Sequence, residues 1–192
     1  KAKARWVMAA LAHMATSNGK AAAVLACHGV HAATDVTGFG LIGHLVEMVR
    51  ASNVDVTVRL AAIPMLEGAR ESVAAGVFSS LQPQNVRLRR AIRNLEAAST
   101  HPDFPLLFDP QTAGGLLAAV PLAEAEACVT ALRIAGYAQA AMIGSVESRT
   151  DALEPVVIDL GQAMQPGTMQ SDTEPNVISS KEKMHHAHEP AQ

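Results

Sequence analysis

The sequence predicts an α+β domain, a two-layer arrangement of a mixed sheet with packed helices. Three observations lead there. Helical apolar periods alternate with short, strand-length apolar runs from about residue 5 to residue 160. The chain of 192 residues is 49% hydrophobic and 17% charged, which is enough to bury one core. Aromatic residues make up only 3%, and alanine fills much of the apolar quota, which favours closely packed helices and sheets over an aromatic binding platform.

The elements follow in order. Trp6, Val7, Ala10, Leu11 and Met14 recur at helical spacing, and Ser17-Asn18-Gly19 breaks that helix. Met8 and Met14 read as core filler. A second helix spans about residues 21–27 and stops at Gly29. Residues 30–36 read as a short buried strand that ends in the turn Gly38-Phe39-Gly40, and Leu41, Leu45, Met48 and Val49 line one face of the next helix. In residues 54–60, Val54, Val56, Val58 and Leu60 alternate with Asp55, Thr57 and Arg59, which predicts a strand with one buried and one solvated face. Residues 65–75 and 86–97 read as helices separated by a loop at 79–83. Residues 106–109 and 116–120 read as strands flanking Gly114-Gly115. A helix at about 123–134 ends at Gly136, and strands follow near 140–146 and 156–160.

This places the folded domain at residues 1–161. Residues 162–192 are rich in Gln, Ser, Pro, Glu and His and read as a disordered polar tail. Lys1-Ala2-Lys3-Ala4-Arg5 enters a helical pattern at once without an initiator methionine, as a piece of a longer protein or an N-terminally processed product would. The formal net charge of -3 gives no general pull toward nucleic acid or an anionic membrane. No apolar run reaches membrane-spanning length. Cys27 and Cys128 form no CxxC pair and read as reduced core thiols of a cytoplasmic protein.

Two segments could carry chemistry. In Thr34-Asp35-Val36-Thr37-Gly38-Phe39-Gly40 a carboxylate stands where a strand runs out, ahead of a helix start. That combination offers a hard oxygen ligand for Mg²⁺ and backbone N–H groups for phosphate, and Gly38 and Gly40 let the backbone approach a ligand. The same spacing also fits Asp35 and Thr37 as plain helix caps, and it leaves both readings open. In Asp109-Pro110-Gln111-Thr112-Ala113-Gly114-Gly115 a strand ends, Thr112 is placed to bond its own turn, and two glycines permit close approach. Taken alone this is a hairpin turn; as a functional element it would line the same cleft.

The two motifs in this order, roughly seventy residues apart, resemble the C-terminal domain of selenophosphate synthetases (selenide, water dikinases). The resemblance covers about residues 5–160 and includes Gln84-Asn85-Val86-Arg87-Leu88-Arg89. The family has Ser at the position of Ala113. The wider superfamily, to which aminoimidazole ribonucleotide synthetase, thiamine-monophosphate kinase and a hydrogenase maturation protein belong, matches the first motif less closely.

The resemblance implies the α+β fold of that superfamily's C-terminal domain. It also implies an ATP- and Mg²⁺-dependent reaction in which selenide, ATP and water yield selenophosphate, AMP and phosphate. Such enzymes are homodimers whose N-terminal domain carries the reactive Cys or selenocysteine, a lysine and most metal-binding aspartates. This chain would supply one wall of the cleft: Asp35 to the metal, and Thr37, Gly38, Gly40, Thr112, Gly114 and Gly115 to nucleotide and phosphate. No catalytic residue is assigned to this half, and alone it is expected to be inactive.

The remaining polar groups read as structural. Arg87, Arg89, Arg90 and Arg93 suit one solvated basic face, His13, His28, His31 and His44 lack metal spacing, and His185, His186 and His188 fall in the tail. Two other readings stand beside the enzyme. One is a superfamily member that uses ATP on a different acceptor; the other is a non-catalytic nucleotide-binding or dimerisation module.

Overall fold

A computed structural model describes residues 2–161. The expected tail and its three histidines lie outside the described residues.

The first helix, α1 (Ala4–Met14), forms where the period predicts, yet it buries none of its residues. Val7, Met8, Leu11 and Met14 are exposed, so Met8 and Met14 are not core filler. Arg5 Nε lies 2.6 Å from Glu67 Oε1, and the Trp6 ring lies against Gly68. The next helix, α2 (Gly19–Cys27), buries Ala21 and Leu25. It lies beside α7 (Ala125–Ile134) in antiparallel fashion. At one end the Ala21 N–H donates to Tyr137 Oη at 3.0 Å, and at the other His28 Nδ1 lies 2.9 Å from Glu124 Oε2. Cys128 is buried in this contact, and burial first, then the Glu124 charge, pushes its thiol pKa up. Cys27 is exposed and is not a core thiol.

Among the described residues five strands form two sheets rather than one. β1 (Ala32–Asp35) is shorter than the apolar run suggested, alternates half-buried and exposed residues, and pairs antiparallel with β3 (Leu116–Ala119). β2 (Val54–Arg59) stands between β4 (Gly144–Ser148), which it meets antiparallel, and β5 (Val156–Asp159), which it meets parallel, so this sheet is mixed. α3 (Gly40–Ser52) buries Ile42, Leu45, Val46 and Val49. These pack in one cluster with Val56 and Val58 of β2, Val156 and Ile158 of β5, and Phe104, Leu107 and Phe108. Burying side chains of this size is worth about 1.5–3 kcal/mol each. Leu41 and Met48 are only half-buried; the core face of α3 is turned toward Ile42 and Val46 instead.

Several expectations fail for identifiable reasons. Residues 106–109 are no strand: Phe104–Phe108 is a 3₁₀ turn. Pro105 cannot donate a ladder hydrogen bond, and the spacing of Phe104, Leu107 and Phe108 puts all three side chains into the core from a helical turn. Gly114-Gly115 therefore closes no hairpin; β3 pairs with β1, not with the segment preceding it. Residues 86–97 are not one helix. A 3₁₀ turn at Val86–Ala91 gives way to extended Ile92, which bridges Val156 in parallel, before the short α6 (Leu95–Ala98). Pairing with β5 overrides local helix propensity there. Only Ala69–Ala74 (α4) is helical in 65–75, and Gln82–Asn85 (α5) forms a turn of helix at the end of the expected loop.

The alternation in β2 also misleads at Asp55. Its face was expected to be solvated, yet Asp55 is buried. Thr150 Oγ1 donates to Asp55 Oδ2 at 2.5 Å, Arg93 Nη2 at 2.8 Å and the Thr150 N–H at 3.1 Å, while Arg149 pairs with Oδ1. The Thr150 hydroxyl above all, with the two guanidinium groups, holds the Asp55 carboxyl far below its ordinary range against the cost of burial. Arg93 thus belongs to an ion-pair network, not to a free basic face.

Candidate functional site

The two motifs meet at their backbones. Asp35 ends β1 in register with Leu116, the first residue of β3. The ladder continues one step further, since the Val36 N–H donates to Gly115 O at 2.9 Å. Thr37 O accepts two N–H groups, from Gly40 at 3.1 Å within its own turn and from Gln111 at 3.0 Å in the second motif. Gly40 has φ +69°, and a Cβ there would stand 2.8 Å from Phe108 C and 3.0 Å from Asp109 O. At Gly114 a Cβ would stand only 2.1 Å from Val36 O. A side chain at either position would push the two segments apart.

Two asparagines tie this crossing together. Asn85 is buried, and its Nδ2 donates to Gly38 O at 2.8 Å and to Phe108 O at 3.0 Å, one acceptor in the first motif and one just before the second. Asn18 Nδ2 donates to Gly114 O at 2.9 Å. Sequence reading assigned neither a role. Asn18 passed as a helix breaker, and Asn85 carried no signal beyond its place in the segment that resembles the family.

Asp35 is exposed at the end of β1. With Thr34, Ala22, Leu25, Val30, Ala33 and Leu116 it lines an open depression between α2 and the β1–β3 pair. Neither Asp35 nor Thr37 caps α3. Phe39 takes the N-cap position, and no side chain bonds the helix end. Thr37 Oγ1 instead lies 3.1 Å from Nε2 of His44, which is buried one turn into α3. His44 Nδ1 faces Glu47 Oε2 at 3.3 Å, and the Phe39 ring is tilted over the imidazole with centroids 5.6 Å apart. His44 therefore has a carboxylate partner that inspection of the sequence overlooked, although the spacing of three residues on a helix places them on one face.

The other candidates are placed less tightly. Gly38 and Gly115 face open space. Thr112 is exposed, and its hydroxyl bonds nothing among the described residues, so it does not close its own turn. Asp109 is half-buried, and burial raises its carboxyl pKa above the ordinary 3.8. Among the described residues no three His, Cys, Asp or Glu side chains group to hold a metal ion. Asp35 is a single exposed carboxylate at this crossing and makes no metal site of its own among the described residues.

Residues 8–153 match the family model described as AIR synthase related protein, C-terminal domain. The chain belongs to this family. Among curated relatives, selenide, water dikinase of Pelobacter propionicus is 40% identical over 147 residues, covering 77% of this chain and 42% of that protein. The enzyme of the same name from Rhizobium meliloti is 42% identical over 118 residues, 60% of this chain and 33% of that protein. That of Clostridioides difficile is 36% identical over 121 residues, covering 61% and 34%. The chain spans about two fifths, or less, of the length of these relatives. Among solved structures, hydrogenase maturation protein HypE superposes with a TM-score of 0.56 at 21% identity, over 77% of this chain and 40% of that one. That likeness establishes the shared α+β fold and nothing about chemistry.

Proposed function

We propose that this domain forms one wall of an ATP–Mg²⁺ cleft in an enzyme that makes selenophosphate from selenide, ATP and water, releasing AMP and phosphate. The observation that carries the reading is the crossing of the two motifs beside an exposed carboxylate that has no side-chain hydrogen-bond or ion-pair partner among the described residues. A capping aspartate would be tied to the helix end; Asp35 is not. Identities of 36–42% to selenide, water dikinases support the same reaction class over other ATP-using members of the superfamily.

In this reading Asp35 gives an oxygen to Mg²⁺, whose role is to neutralise charge on the phosphates. Thr37, Gly38 and Gly40 at the start of α3, with Thr112, Gly114 and Gly115 opposite, border the nucleotide. The remaining metal ligands, the lysine and the nucleophile come from a preceding N-terminal catalytic domain of a cytoplasmic homodimer. Among the described residues no helix is long and apolar enough to cross a membrane.

The test is Asp35→Asn in the complete enzyme. Asn keeps the size of the side chain and removes a charge and a strong Mg²⁺ ligand. A melting curve should be unchanged, because no cap is lost, while AMP production across a Mg²⁺ titration should collapse. Near-normal turnover with unaltered Mg²⁺ dependence would sink the assignment.

A further inference from the structure

We infer that α1 is a docking helix: its outer stripe, Val7, Met8, Leu11 and Met14, packs against an apolar face of the domain that precedes this one in the same polypeptide. The inference rests on the reading above that such a domain is there. It begins with the side of α1 that faces this domain. Trp6, Ala9 and Ala10, spaced as one helical face, are half-buried, and two of the three are alanines. The large side chains point the other way. Val7 is 47% exposed, Met8 65%, Leu11 51% and Met14 45%. From Trp6 to Met14 only His13 can carry a charge. A helix lying on the surface of a domain turns its large apolar residues inward and its charged ones outward. α1 does the reverse, so its larger interface is the outer one.

The helix is nonetheless fixed to this domain at both ends. At its start Arg5 pairs with Glu67 at 2.6 Å, and Lys3 Nζ lies 4.8 Å from the centre of the Trp6 ring. That ring fills the space that a side chain at Gly68 would take. Just beyond its end, Ser17 O accepts from Tyr137 Oη at 2.7 Å and Asn18 Nδ2 donates to Gly114 O at 2.9 Å. The stripe is therefore held out in a set direction, and a surface seated on it is kept in register with the crossing of the two motifs. The occupant follows from size. Four side chains fall far short of the roughly 20–30 residues a side with which separate molecules associate stably. They suffice between domains joined by one chain, because the tether replaces most of the affinity that free partners need. The three curated relatives described above carry more than half of their length outside the match, which leaves room for such a domain.

Thiol accessibility tests the seam. Leu11→Cys is placed in a Cys27→Ser background, since Cys27 is exposed, in both the 192-residue chain and the complete enzyme. Maleimide labelling is read by mass spectrometry on the peptide that carries position 11. The chain alone should be monomeric in light scattering and label as a free surface thiol does, and the complete enzyme should label about tenfold more slowly. Equal rates overturn the inference. So does slow labelling of the chain alone with dimerisation, which would give the stripe to a second copy. Met8→Glu combined with Leu11→Glu supplies a second readout. The melting curve of the chain alone should not move, because α1 buries neither residue there. AMP production by the complete enzyme should fall roughly tenfold, as the crossing loses its position against the preceding domain. Met8→Leu with Leu11→Met, which keeps the stripe apolar, should run as wild type. A melting loss in the chain alone, or full AMP production with the charged stripe, refutes the inference. Asp35→Asn separates it from the cleft reading. Slow labelling at position 11 with Asp35→Asn fully active leaves the seam and removes the cleft; fast labelling with Asp35→Asn inactive leaves the cleft and removes the seam.

Discussion

Replacing Gly40 by alanine tests whether the two motifs are locked together at the backbone. Gly40 opens α3 at φ +69°, where an L side chain costs roughly 1–2 kcal/mol. The added Cβ would also stand 2.8 Å from Phe108 C, 3.1 Å from Phe108 Cα and 3.0 Å from Asp109 O. All three are main-chain atoms of the opposing segment, so no side chain can swing aside. Relieving contacts of that kind costs about 1–3 kcal/mol in a packed interior. The sum is about 2–5 kcal/mol, or very roughly 5–15 °C in melting temperature for a chain of this size. Gly38→Ala is the internal control. Gly38 lies two residues away in the same turn, is outside the positive-φ region and has nothing within 4 Å of its would-be Cβ. Its substitution should shift stability by less than about 1 kcal/mol. Thermal and urea unfolding of the two variants side by side is the assay. Equal stability of Gly40→Ala and Gly38→Ala would refute the crossing.

Three further outcomes follow from the same structure. Asn85→Ala removes two hydrogen bonds and strands the carbonyls of Gly38 and Phe108, so stability should fall by about 1–3 kcal/mol, read by urea unfolding. Asp55, whose folded-state pKa is depressed, stabilises the fold fully above its ordinary value of 3.8 and loses that contribution as pH falls below it; the Asp55→Asn variant should show a flatter acid limb in a pH series of melting curves. The 192-residue chain alone should neither hydrolyse ATP nor form selenophosphate, and sustained turnover by contaminant-free protein would overturn the shared-site reading.

What the sequence made legible was set by period and by punctuation. α3 and β2 are long, regular and bounded by Gly40 and Asn53, and both were read from their spacing. The segments that were misread have apolar residues whose partners are remote. Ile92 is extended because β5, more than sixty residues on, offers it a bridge. Phe104, Leu107 and Phe108 turn inward because the core has room for them there. Asp55 belongs to a strand face that alternation marks as wet; two arginines and a threonine from distant segments bury it. At the site, Asp35, Thr37 and the glycines were visible because turn chemistry is local. The contacts of Asn18 and Asn85 were not, because each acts through its side-chain amide on backbone carbonyls distant in sequence.

The pattern of commitments around the crossing argues for a divided site. Thr37 O, Val36 N, Gly38 O, Gly114 O and the Asn85 amide are all taken up in joining the motifs, so these atoms shape the wall without remaining free for a ligand. Among the described residues the groups left free at the crossing are the exposed Asp35 carboxylate and the open backbone at Gly38 and Gly115. One carboxylate is too little to hold Mg²⁺ and a triphosphate in register, since phosphoryl transfer depends on several cationic and metal contacts acting together. In the reading proposed above it completes a site whose other ligands stand on a facing surface. In that reading, a wall with a rigid backbone and few free donors suits the role, because the reacting groups would come from a preceding domain.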